Sequence, residues 1–141
     1  MKRFIPFAIA TATLIFIFSF TTKRTQHIGI WKGVDHGKTG YFTFDSAGFA
    51  SIEIEGQVLG GKNFQQNGIN AQMTYVVDYT TKPIGLDLII TVTDTQEEAL
   101  RARGIIEFIS ADKMKISLDL SSGTRPKEFT KENTIVLTKQ K

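Results

Sequence analysis

The sequence predicts an all-β protein: an antiparallel up-and-down barrel of eight or nine strands, preceded by an N-terminal hydrophobic leader helix. Three observations carry this. In residues 114–120, Met114, Ile116, Leu118 and Leu120 alternate with Lys115, Ser117 and Asp119, and a period of two gives one dry face and one wet face. The same alternation returns in short stretches punctuated by Gly, Asn, Asp and Pro, which is the pattern of a sandwich or barrel. No long stretch carries a helical period of 3.6 residues. Closure into a barrel removes the exposed edges that invite aggregation. A small up-and-down barrel is either filled by its own side chains or holds one small ligand.

The elements follow in order. Lys2-Arg3 precede the uncharged apolar run 4–20, the shape of a secretory signal and just long enough to anchor in a bilayer. Residues 1–22 are thus a signal peptide or an N-terminal membrane anchor, 23–27 a polar tether, and 28–141 the barrel domain. Either reading puts the domain outside the cytoplasm, secreted or periplasmic in a bacterial-type envelope, or anchored through residues 4–20. Residues 28–34 form the first strand, with Trp31 in it. Asp35-His36-Gly37-Lys38 is a turn. Residues 40–45 place Phe42 and Phe44 on one face, and 49–55 place Ala50, Ile52 and Ile54 on one face. Gln57-Val58-Leu59 either continues that strand past Gly56 or starts another. Gly60-Gly61 suits a sharp turn, because glycine accepts positive φ. Residues 62–66 are a short strand, and Asn67-Gly68 is the strongest hairpin turn in the chain.

Residues 69–79 carry Met73, Tyr75, Val77 and Tyr79 on one side. Pro83 breaks the run, since proline cannot donate to a ladder. Residues 84–93 then present Leu86, Leu88, Ile90 and Val92. Residues 94–100 read as a loop with a turn of helix at most. Residues 105–109 fold back on 114–120 through the Ser110–Lys113 turn. Residues 121–126 are a loop, and 133–138 the last strand.

Composition narrows the chemistry. The 141 residues fit one domain, with 41% hydrophobic and 22% charged residues. Cysteine is absent, which excludes disulfides, thiolate nucleophiles, zinc–cysteine sites and a lipoprotein attachment site. Without Lys2 and Arg3, 15 basic side chains face 14 acidic ones. They do not cluster as a nucleic-acid footprint does, so no nucleic acid is expected. His27 and His36, the only histidines, fall in the tether and in a turn, where a metal site or a hydrolytic triad has too few partners. No catalytic residue, metal or cofactor is predicted.

Several short motifs line up along the chain. Gly29-Ile30-Trp31 is similar to the glycine–any–tryptophan signature of the first lipocalin strand. Lys82-Pro83-Ile84-Gly85-Leu86-Asp87 resembles a segment of bacterial lipocalin-like domains. Gly104-Ile105-Ile106-Glu107, Lys113-Met114-Lys115-Ile116 and Arg125-Pro126-Lys127-Glu128-Phe129 resemble a run in the secreted Planctomycetes-type lipocalin-like family. The chain departs from that pattern at Ile106, where tyrosine is usual, and at Lys139, where lipocalins carry arginine. The resemblance implies a barrel with an internal pocket and no known activity. It also implies a basic residue, Arg125 or Lys139, stacked on Trp31 by a cation–π contact.

The expected sites follow. Trp31 closes one end of the barrel, with Arg125 and Lys139 as closure residues. Tyr75, Tyr79, Met73, Phe42, Phe44, Leu88 and Arg125 are the expected ligand-binding set in the barrel interior; the tyrosine hydroxyls need partners there. Arg125 also has a plainer reading, a guanidinium fork tying down loop carbonyls or a carboxylate. Side chains that line a cavity and side chains that fill one alternate alike, so two functions stand. One is a noncatalytic carrier or binding protein for a small apolar ligand. The other is a structural or protein-interaction module of the envelope with a filled barrel and an unassigned protein partner, its exposed patch expected on residues 56–67.

Overall fold

The computed structural model describes residues 24–141. The leader and the first tether residue lie outside the described residues. Among those described, every regular element is a strand: β1 (Gly29–Asp35), β2 (Lys38–Phe44), β3 (Ala50–Ile54), β4 (Gln57–Gly60), β5 (Phe64–Gln66), β6 (Ile69–Asp78), β7 (Ile84–Val92), β8 (Glu98–Phe108), β9 (Lys113–Asp119) and β10 (Ile135–Lys139). All pairings are antiparallel, in the order β4-β3-β2-β1-β10-β9-β8-β7-β6-β5. This is an up-and-down meander whose first and last strands, β1 and β10, pair with each other.

Turn chemistry sets the short hairpins. His36-Gly37, Glu55-Gly56 and Asn67-Gly68 each pair two positive φ angles, as a two-residue type I′ loop needs. Glu55-Gly56 therefore ends one strand, and Gln57 starts a new one. Among the described residues the strand count is ten, above the expected eight or nine, because residues 57–66 form two short strands that reverse at Gly60–Asn63. A further correction concerns residues 94–100. The β7–β8 turn is tight, with Gln96 at φ 59°, and β8 already begins at Glu98. Its inward positions include Ala102 and Gly104, small residues that give little periodic signal.

Closure occurs where β3 and β4 meet β6. Phe49 bridges Thr74; the Met73 N–H donates to the Gly61 carbonyl at 2.9 Å, and the Tyr75 N–H to the Gly48 carbonyl at 3.0 Å. Gly60 permits this. Its φ is 108°, and a Cβ there would lie 2.6 Å from the Ala50 carbonyl oxygen. β4 and β5 do not pair with each other, being the two edges of the sheet. They splay from Gly60-Gly61 toward the end that carries the β1–β2 and β3–β4 turns. The barrel is thus a nearly closed funnel, and that end is its mouth.

The inward positions form one core. Trp31, Phe44, Met73, Leu86, Leu88, Ile106, Met114, Ile116 and Leu137 are all buried. Residues 120–134, between β9 and β10, fold across the outer face of β7–β9. Arg125 holds them there: it donates to Asp87 at 2.7 Å and to the Gly104 carbonyl at 2.7 Å. Asp87 also accepts from Arg101 at 2.9 Å, and Arg103 donates to the Gly123 carbonyl at 3.0 Å.

Candidate functional site

The two ends of the barrel are chemically different. At the closed end Trp31 is fully buried. Its indole N–H donates to the His27 carbonyl at 2.9 Å, and Lys139 lies 5.3 Å above the ring centroid. The Lys139 ammonium also donates to the Gln26 carbonyl at 3.3 Å. Of the two cations expected to stack on Trp31, Lys139 takes the position. β10 presents it inward directly opposite Trp31.

His27 is the correction at this end. The sequence places it in a polar tether, yet it is only 7% exposed. Its Nδ1 lies 2.7 Å from the Tyr79 hydroxyl and its Nε2 lies 3.2 Å from the Tyr75 hydroxyl. Tyr75 donates its one hydroxyl hydrogen to the Asp45 carbonyl at 2.6 Å. Its oxygen therefore accepts from the His27 Nε2–H, while Nδ1 meets the Tyr79 hydroxyl on the other side of the ring. Burial pushes the Tyr75 hydroxyl pKa up, with the Asp45 and Tyr79 charges adding to it. Burial also raises that of Tyr79, outweighing a bond from the His27 backbone and the nearby Arg24 guanidinium. The rings pack as well as bond: His27 and Phe44 each meet Tyr75 edge-on, at 5.3 and 5.1 Å.

At the mouth the interior opens into a cup of about 730 Å³. Its wall is apolar: Phe42 from β2, Ile52 from β3, Leu59 from β4, Leu118 from β9 and Leu137 from β10. These positions share the inward face by register, Phe42 opposite Ile52 and Ile52 opposite Leu59. The rim carries Asp35, Lys38, Glu55, Gln57 and Asn133. Asp35 and Lys38 face each other across the β1–β2 hairpin, and Lys38 Nζ lies 3.7 Å from Glu55 Oε1. A second depression, about 980 Å³, lies at the other end of the barrel, between residues 24–26 and Tyr79, Ile84, Ile106 and Phe108. It is larger but shallower, and it is flanked by Arg24, Lys82 and Glu107.

The expected ligand-binding set therefore divides. Phe42 lines the cup. Phe44 stacks beneath it, ring centroids 6.5 Å apart. Met73 and Leu88 lie in the packed middle, 2% and 1% exposed. Tyr75 and Tyr79 belong to the closed-end network. Arg125 is outside the barrel altogether, on the wall with Asp87, because Asp87 falls between the inward residues Leu86 and Leu88. Its plainer reading as a tie for carbonyls and a carboxylate is the geometry observed. Of the cup residues, Ile52, Ile116 and Leu118 show in the sequence as inward alternation, Leu59 and Leu137 fall in short stretches with no assigned face, and nothing local separates mouth from floor. No protein-family model, curated protein or solved structure matches this chain.

Proposed function

We propose that the chain is an exported, noncatalytic, lipocalin-like binding protein that takes a small apolar ligand into the cup at the barrel mouth. The observation that supports this is the cup itself: an apolar-walled recess of about 730 Å³ with a few polar groups gathered at its rim. Ligand sites are concave, mostly apolar and roughly 300–1,000 Å³. Export rests on the Lys2-Arg3 start and the apolar run that follows.

Native mass spectrometry of the full chain taken from its host tests the reading, together with titration by the uncharged fluorophore N-phenylnaphthylamine. A bound lipid-sized mass and saturable fluorescence are expected, with binding weakened at least about tenfold when Ile52→Trp fills the cup. Absence of both the mass and the fluorescence would refute it.

The alternative, an envelope interaction module, draws on a different feature. β4 and β5 are sheet edges, and Val58 on β4 is 61% exposed. Unpaired edges accept strands from partners. Cross-linking from position 58 that recovers one envelope protein would favour this module; recovery of none would remove it.

A further inference from the structure

The charges on the cup's rim carry an argument about the ligand's head group. Among the described residues three ionisable side chains line the cup, and they are not balanced: Asp35 and Glu55 are carboxylates, and Lys38 is the one cation. Lys38 is already committed. It lies 3.7 Å from Glu55 and faces Asp35 across the hairpin. Asp35 also lies 2.8 Å from His36 Nδ1. Counting carboxylates against side-chain ammonium groups alone, one carboxylate is in excess. The other rim groups, Gln57 and Asn133, are uncharged, and the wall below offers no charge.

Alternation explains why the charge sits at the mouth. Asp35 continues the inward series Trp31, Gly33 of β1, and Lys38 begins the inward series Gly40, Phe42, Phe44 of β2. Both point over the cup, where an occupant's polar end would emerge. Arg125, the one cation in the expected ligand-binding set, is spent on Asp87 outside the wall. An anionic head would thus meet net negative charge with no free cation, and a cationic one would meet the surplus carboxylate.

We infer that the cup selects a single-chain amphiphile with a cationic head group and disfavours the fatty acid of the same length. This rests on the proposed apolar binding function and adds the sign of the head group. Opposite charges a few ångströms apart at a protein surface attract, and the attraction is screened by salt.

The test is displacement of N-phenylnaphthylamine from the full chain by dodecylammonium, dodecanol and dodecanoate, at pH 8 and low salt. Dodecylammonium is expected to displace the probe at a concentration about tenfold below that for dodecanoate, with dodecanol between. Asp35→Asn should erase the preference, and Glu55→Gln, which frees Lys38, should erase or reverse it. Asp112→Asn removes a carboxylate from the β8–β9 turn, whose Asp112 carbonyl accepts from the Lys139 N–H at the closed end, and should leave the preference intact. Equal displacement by the three, tighter dodecanoate, or an equal effect of Asp112→Asn would overturn the inference while leaving apolar binding in place. Failure of the uncharged probe to bind at all would remove both.

Discussion

His27→Ala separates two descriptions of the segment before β1. If that segment is a tether, the substitution is silent. If His27 is the clasp of the closed end, it is costly. The side chain is almost wholly buried and holds two tyrosine hydroxyls, at 2.7 and 3.2 Å. Each lost hydrogen bond is worth about 0.5–1.5 kcal/mol. The space left among Phe44, Tyr75 and Tyr79 adds a cavity term of about 1 kcal/mol. The expected loss is about 2–4 kcal/mol, or a fall in Tm of about 10 °C for a domain of this size. Urea unfolding of the full chain, followed through Trp31, the single tryptophan, measures it. The reporter suits the question because its indole bonds the His27 carbonyl. A double-mutant cycle with Tyr79→Phe should return a coupling of about 1 kcal/mol. A midpoint for His27→Ala within about 0.5 kcal/mol of wild type, or no coupling with Tyr79, would refute the clasp.

Other outcomes follow from the same geometry. Tyr75 and Tyr79 have raised pKa values in the fold, so their contribution to stability is complete below the unfolded value, about 10, and is lost as pH rises through the folded ones. Alkaline titration of phenolate absorbance should show a late component that Tyr75→Phe and Tyr79→Phe each reduce; a protein without one contradicts the burial. Arg125→Ala should cost about 1–2 kcal/mol, since it removes charge-assisted bonds that are partly exposed, and should free residues 120–134 to exchange amide hydrogens faster. Because Arg125 lies outside the wall, N-phenylnaphthylamine binding should be unchanged; its loss would put the guanidinium back in the interior. Gly60→Ala should destabilise by about 2 kcal/mol or more, because it combines a positive φ with a Cβ contact against backbone. Hydrogen exchange at Met73 and Tyr75, the amides that close the seam, should quicken first.

The sequence by itself determined the strands, most of the turns and which residues face inward. A period of two is local: Met114, Ile116 and Leu118 must share a side whatever else the chain does, and Asn67-Gly68 must turn. For the cation on Trp31 it left two residues, Arg125 and Lys139; the pairing of the first and last strands puts Lys139 there. Three things were decided only by the tertiary structure. His27 docks through partners 48 and 52 residues away, and no neighbour in sequence announces them. Arg125 takes its side from Asp87, an outward residue 38 positions earlier. The contrast between a filled closed end and an open cup arises where β4 and β5 splay below Gly60-Gly61. Inward alternation is the same in a packed layer and in a hollow one; only the positions of the opposite walls set the space between them.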